Sequence, residues 1–185
     1  MDENNPRVRA ARAHWRWRGE DRPPFAVEPG PGEESVWDYP RPPAVEPVDA
    51  PVRIEVDGVV LAESSRAVRV LETASGPAIY LPFDDIRMDL LSPESRGTVC
   101  EWKGPWVYWT VTTEARTIPQ AGWGYTDPWT GFEAIRDHLS FYPAKMDACW
   151  LGEQRVEPQP GGFYGGWVTP NIVGPMKGDP GSGGW

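Results

Sequence analysis

The stretch Val52-Arg-Ile-Glu-Val-Asp-Gly-Val-Val-Leu-Ala-Glu63 decides the fold class. Its first five residues alternate between apolar and polar, which is typical of a half-buried β-strand. Asp57-Gly58 supplies the two residues with positive φ that a type I′ turn requires, and the last five residues return as a second strand. The expected register places four apolar side chains on one face, with Val56 opposite Val59 and Ile54 opposite Leu61. The stretch therefore predicts an antiparallel hairpin at the start of a folded domain that covers residues 52–157.

Short hairpins continue along the rest of this domain. Apolar runs between turn residues predict further strands at residues 67–72, 78–81, 98–103, 106–112, 148–151 and 154–157. A helix is expected at residues 85–91, behind the cap Asp84. A second helix is expected after Asp127-Pro128, with one apolar face made of Phe132, Ile135 and Leu139. Consecutive hairpins predict a mainly β (α+β) fold of small antiparallel sheets with two or three short helices, rather than a doubly wound fold.

Proline and glycine concentrate in two arms outside this domain. The chain has 185 residues, among them 22 prolines, 20 glycines and 11 tryptophans. Residues 1–51 begin with a basic segment, where a helix is expected at Val8–Arg18, and continue into a proline-rich stretch that Trp37 and Tyr39 pin to the domain. Residues 158–185 form an irregular glycine- and proline-rich arm that packs on the domain or on a second subunit, so a homo-oligomer stays open.

The composition excludes several classes of protein. No run of about 18 apolar residues is present to cross a membrane, and the N-terminal residues lack the apolar core of a secretory signal, so we expect a cytoplasmic protein. The net charge of −9 argues against nucleic-acid binding, because phosphates must be neutralised by lysine and arginine. Cys100 and Cys149 cannot build a disulfide framework, although a single bridge between them stays open. Without a C-x-x-C pair, we expect no zinc and no other metal or cofactor.

The densest chemical feature is the aromatic stretch at residues 100–109, followed by a second one at residues 122–125. Both faces of the strand at 106–112 are apolar or aromatic, since its side chains alternate. One face can pack in the core, and the other must be covered or line a cavity. Aromatic walls with a few polar groups are typical of small-ligand pockets. The candidate ligand-binding residues are Trp102, Lys103, Trp106, Tyr108, Trp123 and Tyr125; complete burial of these rings under the arms is the alternative.

Cys100 and Lys103 are the candidate catalytic residues. A nearby ammonium lowers the pKa of a thiol and favours the nucleophilic thiolate. On a continuous strand, residues three apart point to opposite faces, so this pair needs a turn to bring it together. A buried structural cysteine is the alternative for Cys100, and an anion-binding or surface role is open for Lys103.

Two other segments are interpreted as structural. Three acids surround Arg87 within residues 84–89, and we interpret them as ion pairs at a helix start rather than as a metal site. The segment Gly161-Gly-Phe-Tyr-Gly-Gly166 lacks the lysine and the serine or threonine of a phosphate loop. Its glycines are expected to let the backbone approach aromatic rings closely.

Separated motifs in a fixed order carry a resemblance to a known family. They are Arg66-Ala-Val-Arg-Val-Leu-Glu72, Asp85-Ile-Arg-Met-Asp-Leu-Leu91, Cys100-x-x-Lys-Gly104 with Tyr108-Trp109, Gly122-Trp-Gly-Tyr125, and Phe141-Tyr-Pro143 with Asp147. Together they resemble the domain of unknown function 427 family over about Val52 to Val156. The resemblance implies an architecture similar to the β-tent, whose relatives hold small ligands in an aromatic cage, but it implies no assigned reaction. The nucleotidyltransferase label attached to that family is not supported here, because such enzymes need a Gly-Ser turn and paired carboxylates for two metals.

Three functions remain open at this point. The leading hypothesis is binding of a small molecule in an aromatic pocket. The second is an enzyme that uses Cys100 and Lys103 for acyl or nucleotidyl chemistry. The third is a scaffold or interaction protein that acts through its two arms.

Overall fold

The computed structural model describes residues 2–94 and 97–185, and β-strands dominate it. Strands hold 36% of the residues and helices 12%, which confirms the mainly β class. The α-helix α1 spans Pro6–His14, and neither it nor any other helix of the described residues has the length and hydropathy for a membrane crossing. The strands are β1 (Glu34–Ser35), β2 (Ala44–Pro47), β3 (Val52–Val56), β4 (Val59–Ser64), β5 (Val68–Leu71), β6 (Ala78–Pro82), β7 (Leu91–Pro93), β8 (Val99–Cys100), β9 (Gly104–Pro105), β10 (Val107–Thr112), β11 (Thr117–Gly124), β12 (His138–Phe141), β13 (Ala148–Leu151), β14 (Gln154–Arg155), β15 (Glu157–Pro158), β16 (Trp167–Val168) and β17 (Ile172–Val173).

The β3–β4 hairpin forms where it was predicted. Asp57 and Gly58 have φ of +49° and +74°, which confirms the type I′ turn, and Val56 lies opposite Val59. The expected pairing of Ile54 with Leu61 is wrong by one residue. A bulge follows Ile54, and Ile54 lies opposite Ala62. A bulge inserts one unpaired residue into a strand, so Leu61 keeps its buried position without a direct partner.

Two larger sheets share the main hydrophobic core. One has seven strands in the order β2-β5-β6-β12-β11-β10-β7, and the other has four in the order β14-β13-β3-β4. Alternating residues of the seven-stranded sheet, such as Leu81 and Leu139, pack with Val52 and Ile54 of the four-stranded sheet. The remaining pairs are β8–β9, β15–β16 and the parallel pair β1–β17. Within the described residues no sheet closes into a barrel.

The two helices predicted inside the domain are wrong. Residues 85–91 instead contain the end of one 3₁₀ turn, Phe83–Asp85, all of a second, Met88–Leu90, and the first residue of β7. The segment after Asp127-Pro128 contains a single 3₁₀ turn, Glu133–Ile135, and then β12. Positive φ at Gly131 and Asp137 interrupts that segment, and a helix tolerates neither value. The periodic apolar residues therefore point to the interior from a turn and a strand, not from one helical face.

The two arms pack on the domain and on each other. The first helix begins earlier than predicted, at Pro6 with Asn5 as its N-cap, and it ends at His14 because Trp15 is extended. Trp37 and Tyr39 are buried, as expected, and Trp37 Nε1 donates a hydrogen bond to the carbonyl of Pro175. The proline-rich stretch also supplies β2, which joins the edge of the seven-stranded sheet. An edge position suits this strand, since its Pro47 has no N–H to donate.

Candidate functional site

The outward face of the seven-stranded sheet carries a row of directly opposed side chains. Tyr108 of β10 lies opposite Trp123 of β11. Ser140 of β12 lies between Trp123 and Tyr80 of β6. Directly opposed residues share a face, so the strand registers assemble aromatic side chains from separated parts of the chain. Trp106 and Tyr108 pack with this aromatic cluster rather than with the main core.

Six aromatic rings make a continuous wall on this face. Neighbouring centroids lie between 4.6 and 6.3 Å apart in the order Tyr142, Trp123, Tyr80, Tyr125, Trp106 and Tyr108. Their planes are tilted or perpendicular, the geometry that aromatic quadrupoles favour. Trp123 Nε1 also donates a hydrogen bond of 2.8 Å to the Tyr80 hydroxyl, which fixes both rings.

A cavity of about 250 Å³ lies in front of this wall. Cys100 lines this cavity. Five of the six predicted ligand-binding residues line it as well, namely Lys103, Trp106, Tyr108, Trp123 and Tyr125. The arms therefore leave a cavity in front of these rings, although Tyr125 is 2% and Trp123 9% exposed.

Trp102 is the predicted ligand-binding residue that does not line the cavity. Its ring is buried, and the guanidinium of Arg12 from α1 lies 5.3 Å from the ring centroid. Trp102 and Trp106 were both predicted as ligand-binding residues on neighbouring strands. A turn separates them, so Trp102 packs beneath the N-terminal helix.

The turn at residues 101–103 brings Cys100 and Lys103 to the same cavity. The strand expected at 98–103 is wrong beyond Cys100, which pairs with Gly104 across this three-residue turn. Gly104 has φ of +98°, and a Cβ there would lie 2.9 Å from Trp129 Cδ1, so both its conformation and its surroundings require glycine. The reversal removes the objection that residues three apart on a strand face opposite sides.

Lys103 is a buried ion-pair partner rather than a surface lysine. Its Nζ lies 3.5 Å from Glu72 Oε2, and Glu72 Oε1 lies 3.4 Å from Arg41 Nε. Burial lowers the pKa of Lys103, but the charges around it, the carboxylates of Glu72 and Glu101 among them, raise it, and the net direction is upward. The Lys103 ammonium therefore stays charged at neutral pH.

The environment of Cys100 does not favour a thiolate. Burial raises its pKa, and the nearby Lys103 ammonium opposes that shift without reversing it. Its Sγ lies 3.8 Å from Glu101 Oε2, an orientation in which the thiol donates to a carboxylate. Cys100 and Cys149 are both free, so the bridge between them does not form.

The arms supply a further part of the cavity wall. Trp15 follows the end of α1. The other residues of this part come from the C-terminal arm and are Gln159, Phe163, Tyr164, Gly165, Gly166 and Lys177. Gly165 meets the Trp123 ring so closely that a Cβ would overlap it, which confirms the expected close approach of a glycine to an aromatic ring. The side-chain amide of Gln159 links Gly76 to Lys177. Its Oε1 accepts from the backbone N–H of Gly76, and its Nε2 donates to the backbone carbonyl of Lys177.

Several of these residues escaped the sequence-based prediction. Tyr80 lies on a predicted strand between Ile79 and Leu81, so the alternation of strand side chains places it on the opposite face from these two core residues. Trp15 and Lys177 gave no comparable signal, since Trp15 lies within the helix expected at Val8–Arg18 and Lys177 lies in an irregular arm. Their position depends on how the arms close over the sheet, which no local pattern encodes.

The acidic segment at residues 84–89 forms ion pairs on the surface. Arg87 pairs with Asp89, as expected, whereas Asp85 pairs with Arg66 and accepts from Ser64. Within residues 2–94 and 97–185, no three His, Cys, Asp or Glu side chains are grouped to hold a metal ion.

Taken together, the geometry is that of a mainly β domain with an aromatic pocket on one sheet face. The model of the domain of unknown function 427 matches residues 44–152, and the chain belongs to that family. The match includes β2, eight residues earlier than the resemblance in the sequence suggested. No curated protein matches the chain.

Proposed function

We propose that this protein binds a small planar molecule in the aromatic pocket. The observation that carries the proposal is the continuous wall of six rings in front of a cavity of about 250 Å³. A half-open aromatic cavity with a few polar groups suits a flat ligand that stacks on the wall and leaves one end for polar contacts. The raised pKa of Cys100 makes the thiol chemistry of the enzyme hypothesis the weaker candidate. The two free thiols fit a reducing compartment such as the cytoplasm.

A ligand-observed NMR titration tests this proposal. The panel consists of indole-3-acetamide, indole-3-acetate, adenosine and adenosine monophosphate, so that neutral and anionic forms of two ring systems are compared. We expect saturation transfer to at least one ring system, with a loss of at least fivefold in affinity for Trp106→Ala.

Trp150→Ala is the matched control, because Trp150 is also half-buried but lies on β13 in the other sheet. Its affinity should equal that of the native chain. The proposal fails if no panel member binds, or if both variants weaken binding equally.

A further inference from the structure

The carboxylate and side-chain amide oxygens that line the pocket are already used. Glu72 Oε2 faces Lys103 Nζ at 3.5 Å. Glu101 Oε1 accepts from Trp15 Nε1 at 2.7 Å, and Glu101 Oε2 faces the Cys100 thiol. Gln159 Oε1 accepts from the amide of Gly76. A ligand that enters this pocket finds few free acceptors.

The donors that line the pocket are in surplus. Trp106 Nε1 is buried and has no hydrogen-bond partner among the described residues. Lys103 has three N–H groups and one acceptor, at the limit of hydrogen-bond distance. Lys177 Nζ has neither a hydrogen-bond acceptor nor a carboxylate within ion-pair distance in the part of the chain that the structure describes. A ligand must therefore supply acceptors.

Lys177 is the most distinctive of these donors. It is only 2% exposed, and its Nζ lies 3.6 Å from the centroid of the Trp15 ring. The guanidinium of Arg41 lies 4.4 Å from the same ring, so two cations share one indole. Two hydrogen bonds fix the backbone of Lys177. Its N–H donates to the carbonyl of Ala74, and its carbonyl accepts from Gln159 Nε2. A buried charge without a counter-ion is costly, and an anion in the cavity would remove that cost.

We propose that the ligand of this pocket carries an oxyanion, a carboxylate or a phosphate, which Lys177 binds while the ring of the ligand stacks on the aromatic wall. This inference rests on the proposed function and names its ligand class. The two carboxylates of the pocket do not prevent it. Arg41, Lys103 and Lys177 outnumber Glu72 and Glu101, and both carboxylates are engaged by donors of the protein. The surplus positive charge lies at Lys177.

The charge of Lys177 makes the binding dependent on pH. Burial first, and then the positive charge of Arg41, lower the pKa of Lys177 to about 8, although Glu72 and Glu101 oppose the shift. Lys103 adds to the lowering, and the Tyr164 ring faces Lys177 from the C-terminal arm at 5.8 Å. Lys177 is thus charged at pH 7 and loses its proton above pH 8. Anion binding should persist at pH 7 and weaken as the pH rises through 8.

The experiment compares the anionic and neutral members of each pair in the NMR panel. In the native chain we expect the anion to bind at least tenfold more tightly than its neutral counterpart at pH 7, and this preference to fall below threefold at pH 9.5. In Lys177→Met the preference should be lost at both pH values, while the neutral member binds as before. Lys145→Met is the control, because Lys145 Nζ donates to the carbonyls of Pro119 and Gln120 and does not line the pocket.

The outcomes separate this inference from the proposed function. A preference for indole-3-acetate alone assigns a carboxylate, and one for adenosine monophosphate alone assigns a phosphate. Equal binding of anionic and neutral members overturns the role of Lys177 but leaves the pocket in place. An anion preference that survives Lys177→Met also overturns it. Absence of all binding contradicts the proposed function itself.

Discussion

At the scale of single residues, the pocket depends on a few tight contacts between the domain and its arms. Gly165 presents its Cα to the Trp123 ring, and Gly166 lies against Gly76 and the Gln159 side chain. These glycines have no side chain to hold the rings apart, so the C-terminal arm lies flat against β11. The shape of the cavity is set at these contacts, because the arm cannot shift without moving Trp123.

Substitution of Gly165 should test this packing. In Gly165→Ala the new methyl group overlaps Trp123 Cη2, so either the ring or the arm must move. Overpacking of this kind costs about 1–3 kcal/mol. We expect that loss of stability in urea unfolding, together with weaker binding of the panel ligands. Gly184→Ala is the control, since nothing lies near that position and its stability should stay unchanged. Equal stability of the two variants would contradict the proposed contact.

Lys177 should reduce the stability of the unliganded protein. At pH 7 its ammonium is charged and desolvated, so Lys177→Met should raise the free energy of unfolding by about 1–3 kcal/mol. The folded pKa of about 8 is below the usual value of 10.5. Between pH 8 and pH 10.5 the unfolded chain keeps the proton that the folded chain has lost. The free energy of unfolding of the native chain therefore rises with pH in this range, relative to that of the variant. The advantage of Lys177→Met should therefore shrink from pH 7 to pH 9.5 in denaturant unfolding.

The free energy of unfolding of Lys145→Met, measured in the same way, provides the comparison. Lys145 donates two hydrogen bonds to backbone carbonyls, so its loss should destabilise the protein. If Lys177→Met is destabilised in the same way at pH 7, Lys177 has a structural partner and the argument for an unpaired cation is wrong.

At the scale of elements, α1 closes one side of the pocket from outside the sheets. Arg12 Nε donates to the carbonyl of Glu101, and its guanidinium lies over the buried Trp102 ring. Trp15, directly after the helix, donates to the Glu101 carboxylate and covers Lys177. The helix buries little of its own apolar surface, with Val8 its only buried residue. It is held by these few polar and cation–π contacts rather than by a hydrophobic stripe.

Removal of α1 should therefore affect binding more than folding. Deletion of residues 2–16 takes away Trp15 and the cover of Lys177 but no strand of the two large sheets. We expect the circular dichroism spectrum and cooperative unfolding of a β protein, with a tenfold or greater loss of affinity for the anionic panel ligands. The double variant Arg7→Ala and Arg9→Ala, on the exposed side of the helix, should bind like the native chain. Unchanged affinity after the deletion would show that α1 takes no part in the site.

The elements themselves were predictable to different degrees. The β3–β4 hairpin was predicted because alternation and the turn pair agree, and only the bulge after Ile54 escaped. β11 was missed, since its Ala121, Gly122 and Gly124 lack the branched side chains that mark a strand. Its glycines are needed there because a Cβ at 122 or 124 would collide with β12. Tertiary packing, rather than local preference, decides that strand.

At the scale of the whole molecule, the aromatic cluster was predictable and its enclosure was not. Composition and alternation indicated apolar or aromatic side chains on both faces of β10, and Trp106 and Tyr108 line the cavity. Whether the arms cover them or leave space depends on contacts more than fifty residues apart in the chain, such as Arg12 with Glu101 and Gln159 with Gly76. The two arms also pair with each other through β1 and β17, so neither closes the pocket alone.

The division of the pocket between domain and arms limits what can be transferred between relatives. The family match ends at residue 152, so the aromatic floor lies inside it, whereas Trp15, Tyr164 and Lys177 lie outside. The proposed function implies that two chains sharing this domain but carrying different extensions would have a similar stacking surface and would bind different molecules. Under that proposal, a ligand found for one member would predict a flat ring for another, and the extensions would have to be compared before its charged group was assigned.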